Sequence, residues 1–330
     1  MARAILRLRR RPAAALATGV LGALLGGCGV GQSLNGAGAS FPAAIYQRWF
    51  QQLAAKGLNV NYQSVGSGAG VRQFVAGTVD FGASDVPMKA EDVAQVKRGV
   101  VQIPMTAGAI AVAYHHHKGC DLKLSQAQLA DIFLGRINNF SQLGCPALPI
   151  QVVHRSDGSG TTANFTAHLA AVSPAWKSGP GQGKTVKWPT GIGAKGNEGV
   201  AAQLSQLDGA IGYLELAYVK GVLKPAALTN ASGQLVVPSA ESASEALASI
   251  NLGPDLTGSD PNPAQGYPIT TFSWILLYKQ GNGAKLEPLR QTFTATLSEP
   301  FQAEAPGLGY VSLPKPVIAR GREALATLAP

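Results

Sequence analysis

The chain is 330 residues long, 46% hydrophobic and only 14% charged, with 40 glycines and 21 prolines. That composition describes a loop-rich globular protein, long enough for two domains or one large one, and excludes a disordered chain. A formal net charge of +9 would favour a nucleic-acid partner, but no such motif accompanies it and none is expected.

Much of that charge sits in a leader. Residues 1–28 read MARAILRLRRRPAAALATGVLGALLGGC, a basic start and a small-residue apolar stretch ahead of Leu25-Gly26-Gly27-Cys28. The pattern resembles the lipobox of a bacterial lipoprotein signal: a signal peptide over 1–27, cleavage before Cys28, a lipid on its sulfur and a lipidated spacer over 28–33. The apolar stretch falls short of the about 20 strongly apolar residues that span a membrane. Losing Arg3, Arg7, Arg9, Arg10 and Arg11 leaves 22 Lys+Arg against 18 Asp+Glu, a net charge of +4. An exported protein, periplasmic or at the cell surface and held to the membrane by its lipid, is expected. In that oxidising setting Cys120 and Cys145 are expected to pair, closing a loop that would add about 3 to 4 kcal/mol.

SFPAAIYQRWFQQLAAKG comes next and predicts a helix, with Ser40 as N-cap, Pro42 in the first turn, Ile45, Trp49 and Leu53 four apart, and Gly57 as the stop. LNVNYQSVGSGAGVRQFVAG reads as an alternating strand, a glycine turn and a short helix ended by Gly77. VDFGASDVPM is a short strand entering a loop, VVQIPMTAGAIAVAYH a long strand, SQAQLADIFLG an amphipathic helix, and LPIQVVHR a strand that feeds HRSDGSGTT. Alternating strands and helices place the chain in the α/β class with mixed sheets.

Three loops share one design. GAGASF at 36–41, GSGAG at 66–70 and SDGSGTT at 156–162 each combine Gly with Ser or Thr just before a predicted helix. A helix start exposes unpaired N–H groups and partial positive charge, and glycine lets a ligand approach the backbone. Converging, with Arg155 adjacent, the three would make an anion site that needs little lysine.

Other motifs fall short. SGPGQGKT at 178–185 has Ser178 where a Walker A loop begins with Gly, and Pro189 discourages the helix that should follow. GIGAKG at 191–196 matches GxGxxG, but KWPT before it is a poor strand, so no dinucleotide is expected. His115, His116 and His117 point to alternate faces and lack companion ligands, so an exposed loop and no metal are expected. Neither Ser67 nor Ser159 lies in GxSxG, and His168 reads as a surface helix residue rather than a base. No catalytic residue and no cofactor are expected.

GAGASFP, YQSVGSGAGVRQF, VDFGASDVPM, RSDGSGTT, VKWPTGIGAKGNEGVA, GAIGYLELAYV, YPITTFS and LGYVSLP occur in this order. Together they resemble the phosphate-binding protein family of bacterial phosphate ABC transporters, the PstS type, from about residue 34 to the C-terminus. The resemblance implies a two-lobed type II periplasmic-binding-protein fold with mixed sheets and a ligand cleft between lobes. Lobe I would be discontinuous, 34–112 and 267–330, and lobe II would be 113–266. It further implies an inorganic phosphate ligand, the permease subunits of a phosphate ABC transporter as partners, a monomer, and phosphate contacts at Ser40, Phe41 (backbone), Ser67, Asp85, Arg155, Asp157, Ser159, Gly160 and Thr161. Ser40 stands where many members have Thr, which keeps the hydroxyl. HHHKGC and the cysteine pair lie outside the family pattern and receive no ligand role.

An acid in an anion cradle has a chemical use. Phosphate keeps a proton at neutral pH and sulfate does not, so a buried carboxylate can accept that proton but repels sulfate. Sites that demand a ligand hydroxyl reject analogues lacking it by about 10⁴ to 10⁵. Asp157, two residues from Arg155, is expected to steady the guanidinium as it does in the family, and Asp85 is expected to read the proton. The competing readings are a secreted phosphatase or phosphotransferase using Ser159 or Thr161, and a binding protein for another oxyanion.

Overall fold

The computed structural model describes residues 33–330, so the expected signal peptide and lipidated Cys28 lie outside the described residues. Eight strands form the main path of one mixed sheet: β1 (Leu34–Gly38), β2 (Val60–Ser64), β3 (Phe81–Ser84), β4 (Val100–Tyr114), β5 (Gln151–Arg155), β6 (Ile192–Ala194), β7 (Ala210–Glu215) and β8 (Thr270–Tyr278). Their spatial order is β2-β1-β3-β8-β4-β7-β5-β6.

The long strand β4 joins two similar arrangements. Its residues 100–109 pair antiparallel with β8, and 110–114 pair antiparallel with β7. On one side β1 lies between β2 and β3, all parallel. On the other, β5 lies between β6 and β7, also all parallel. In both, the chain leaves a central strand for one neighbour and then crosses to the other. Such reversals open a crevice at the carboxyl ends of parallel strands, where α/β proteins bind ligands. The ends of β1 and β5 carry Ser40 and Arg155.

Local sequence accounts for the elements. In α1 (Ala43–Ala54) the predicted stripe is buried as Ile45, Tyr46, Trp49, Phe50 and Leu53. Pro42 takes the N-cap position in place of Ser40, whose hydroxyl is drawn away to Asn197. The helix α2 (Ser67–Val75) follows Gly66 directly and packs close to β1: a Cβ on Gly70 would lie 2.4 Å from the Gly38 Cα. Pro104 lacks the N–H a central strand needs, and the β4–β8 register shifts beside its partner, between Ser273 and Trp274.

Two expectations about histidine are corrected. His168 is 1% exposed, because α5 (Gly160–Val172) buries Phe165, Thr166 and Leu169 alongside it, and its Nδ1 lies 2.8 Å from the Pro261 carbonyl oxygen. Burial pushes its pKa down to about 4, leaving a neutral ring. Of the 115–117 run only His117 is exposed; His116 is buried against Phe140, with Nε2 2.9 Å from the Pro146 carbonyl oxygen. Beside this run the structure sets Cys120 and Cys145 with Cα atoms 5.6 Å apart, a separation typical of disulfides.

Core packing on the β1 side centres on Phe81, fully buried among Phe50, Tyr62 and Phe293. Phe81→Ala is expected to lower the unfolding free energy by about 3 to 5 kcal/mol, read from chemical denaturation.

Candidate anion-binding site

The nine residues expected at the site lie together, all buried except the partly exposed Asp157. Ser40, Phe41, Ser67, Asp85, Ser159 and Thr161 are each 1% exposed or less, and the Arg155 side chain is equally hidden. They follow the carboxyl ends of β1, β2, β3 and β5, so the sheet topology brings together loops more than a hundred residues apart.

Arg155 supplies the cation. Its Nε and Nη2 donate to the two carboxylate oxygens of Asp157 at 2.8 and 2.6 Å, and Nη1 donates to Thr161 Oγ1 at 3.4 Å. The backbone N–H of Arg155 donates to the hydroxyl of Tyr213, which also bonds Thr162 and stacks on Phe165. Strand end and guanidinium are therefore both fixed. Burial works to raise the Asp157 pKa, but the Arg155 hydrogen bonds and charge, together with the Gly196 N–H, outweigh it and hold the carboxyl below its usual value. Asp157 is spent on positioning the cation.

Asp85 has different surroundings. Ser273 Oγ donates to its Oδ1 at 2.8 Å and Ser67 Oγ to Oδ2 at 3.4 Å, while no ion pair among the described residues includes it. Burial pushes its pKa up to about 7, against the pull of the two hydroxyls and the charges of Arg155 and Lys184. The α3 helix (Ala90–Gln95) has Lys89 as its N-cap, so Asp85 is not a helix cap.

Residues without an expected role complete the cluster. Asn197, at the start of α6 (Gly196–Gln206), donates from its backbone N–H and its Nδ2 to Ser40 Oγ, both at 2.9 Å, and from Nδ2 to Thr161 Oγ1 at 3.2 Å. Its own carbonyl accepts the Glu215 N–H. Its signal in the sequence is GIGAKGN, another glycine-rich loop opening a helix. Ser273, and Thr271, which donates to the Asp85 backbone oxygen at 2.9 Å, lie in a β-strand where no loop pattern marks them. The Lys184 carbonyl accepts the Ser159 N–H at 2.9 Å, so the GQGKT segment braces the start of α5.

The loops from the two sheet halves also bond each other directly. Gly160 N–H donates to Ser67 Oγ at 3.1 Å, Gly68 N–H to the Gly158 carbonyl at 2.7 Å, and the Tyr218 hydroxyl to the Ser40 carbonyl at 2.7 Å. Tyr310 donates to the Phe41 carbonyl at 2.8 Å. The result is a buried cradle with one guanidinium, several hydroxyls, a helix N-terminus and the Asp85 carboxyl. Such a set has the chemistry to hold a compact oxyanion.

Comparison with known proteins assigns the class and then the family. A family model described as a PBP superfamily domain matches residues 25–297. The phosphate-binding protein PstS of Pasteurella multocida (strain Pm70) is 43% identical over 306 residues, covering 87% of this chain and 88% of its own. PstS of Haemophilus influenzae is 42% identical over 303 residues, covering 87% and 90%. The chain belongs to the PstS family of phosphate-binding proteins. A high-affinity periplasmic phosphate-binding protein solved with phosphate at pH 8.5 has a TM-score of 0.75 at 23% identity, covering 88% of this chain and 93% of its own. A phosphate-binding protein from Stenotrophomonas maltophilia gives 0.74 at 22% identity, covering 90% and 96%. These likenesses give the fold as the two-lobed type II binding-protein architecture.

Two outcomes are expected from the geometry. Asp85 has a folded pKa of about 7 against an ordinary carboxyl value of 3.8, so the emptied native state holds a proton that the unfolded state releases. Its contribution to stability is full below pH 4 and is lost as pH rises to 7, by about 4 kcal/mol at most. Asp85→Asn should remove that component of the pH dependence in denaturation at pH 5 and pH 7.5. Gly66 has φ +86°, and a Cβ there would lie 2.2 Å from Asp157 Oδ2. Gly66→Ala should hold the sheet halves apart, read as a larger radius of gyration in small-angle scattering.

Proposed function

We propose that this protein captures inorganic phosphate in the cleft between its lobes and delivers it to an ABC-type phosphate importer, without catalysing a reaction. It works outside the cytoplasm, anchored by a lipid on Cys28, and its Cys120–Cys145 pair is a disulfide that ties the start of its loop to the second lobe. Lobe I comprises 34–112 and 267–330, lobe II comprises 113–266, and β4 with the approach to β8 carries the hinge.

The observation that carries the reading is the buried Asp85 beside the Arg155 cradle. A site for any oxyanion needs only the cation, hydroxyls and N–H groups. An additional carboxyl among them, bonded to Ser273 and Ser67 rather than to a cation, selects a ligand that brings a proton. The PstS relatives, which are phosphate-binding proteins, support the same ligand. Ser159 Oγ accepts the Thr162 N–H as the α5 cap and Ser67 Oγ accepts the Gly160 N–H, roles in binding rather than nucleophilic attack.

Because Asp85 titrates near pH 7, selectivity has a pH dependence. Below that pH a protonated Asp85 donates to phosphate or sulfate alike. Above it the carboxylate accepts only, and sulfate meets an unmade bond and like charge. Protein denatured after purification should release phosphate. Titration of the emptied protein should show preference for phosphate over sulfate growing from pH 6 to pH 8, by at least about tenfold. Asp85→Asn should flatten that trend more than Asp157→Asn. Tight sulfate binding at pH 8 would sink the reading.

A further inference from the structure

Three hydroxyls of the cradle are held in the same way. Ser40 Oγ accepts the Asn197 backbone N–H and Asn197 Nδ2, both at 2.9 Å. Thr161 Oγ1 accepts Asn197 Nδ2 at 3.2 Å and Arg155 Nη1 at 3.4 Å, and Ser67 Oγ accepts the Gly160 N–H at 3.1 Å and the Asp85 N–H at 3.3 Å. A hydroxyl has two acceptor lone pairs and one proton to give. With both lone pairs occupied, each of these groups can engage a further partner only by donating. Ser67 gives its proton to Asp85 Oδ2. Ser40 and Thr161, each 1% exposed or less, donate to no acceptor among the described residues.

Asn197 is common to two of the three, and its amide cannot turn. The Glu215 N–H, which can only donate, meets one end of the amide at 2.9 Å, so that end is Oδ1 and the end facing the two hydroxyls is Nδ2. A flipped amide would set Oδ1 against Ser40 and Thr161 and leave the N–H of the fully buried Glu215 facing another donor. The backbone is fixed as well. Gly196, with φ +72°, donates its N–H to Asp157 Oδ1 at 3.1 Å, which ties the start of α6 to the carboxylate that holds Arg155.

We infer that Asn197 is a positioning residue for phosphate: donating to Ser40 Oγ and Thr161 Oγ1 from an amide locked by the Glu215 N–H, it commits both hydroxyl protons to the ligand. The inference rests on the phosphate reading above and deepens it. Ser40 and Thr161 then serve only bare ligand oxygens, because a ligand O–H would meet a second donor there, and the ligand proton is left for Asp85. Asn197 acts through the two hydroxyls it faces, with no contact of its own to the anion required.

The test is Asn197→Asp, which keeps the shape and turns the donor into an acceptor. An ionised carboxyl there takes the Ser40 and Thr161 protons, so both hydroxyls present lone pairs to the anion. Protein emptied by denaturation and refolding is titrated with inorganic phosphate by calorimetry, with circular dichroism as the check on folding. Asn197→Asp should weaken binding about a hundredfold at about pH 8.5 and by less at about pH 6, each relative to the unaltered chain at the same pH, which cancels the titration of Asp85. Asn197→Ala, which frees the hydroxyls without reversing them, should weaken it by about tenfold. Thr161→Val separates this role from charge repulsion and from a merely structural contact: it should weaken binding in the unaltered chain but not in Asn197→Asp, where that hydroxyl opposes the ligand. Asn197→Ala within about threefold of the unaltered chain overturns the inference, and so does Thr161→Val weakening both backgrounds alike. An unaltered chain that takes up no phosphate overturns the proposed function, and the inference falls with it.

Discussion

Burying the Asp85 carboxyl removes it from water at a cost of several kcal/mol if it ionises, and the fold offsets this with hydroxyls rather than a bonded cation. Most of the architecture around the cleft follows from that choice. Ser67 must open α2 at the right height, which brings in Gly66 and its positive φ. Ser273 must reach across from β8, at the register shift that answers Pro104 on β4. Had the carboxyl been paired with Arg155 instead, it would ionise well below neutral pH, as Asp157 does, and would discriminate against anions generally.

The duplicated topology divides the labour. The β1 half contributes hydroxyls, backbone and the titrating acid, and the β5 half contributes the guanidinium with its fixed counter-ion and the N-terminus of α5. Neither half alone holds both the Arg155 guanidinium and the buried Asp85 carboxyl. Hydrogen bonds such as Gly160 to Ser67 and Asn197 to Ser40 form only when the halves meet.

Legibility in the sequence varied with the range of the interaction. The α1 stripe, the long β4 strand, the glycine-opened α2 and the Ser159 start of α5 depend on residues within a turn or two, and periodicity with capping chemistry reads such features directly. The Asp157–Arg155 pairing was legible for the same reason, two residues apart on one loop. His168 was misread because helical position alone does not say that α5 is covered on several sides. Asn197, Ser273 and Lys184 escaped because their meaning lies in partners 157, 188 and 25 residues away.

By itself, then, the sequence determined the secondary elements, the family signature and the residue types of an anion cradle, because these rest on short-range periodicity, turn chemistry and contiguous motifs. Tertiary structure alone decided that Asp85, the acid without a cation, is buried and held by two hydroxyls. That environment depends on hydroxyls delivered from α2 and β8, and the desolvation of Asp85 exists only once both lie over it.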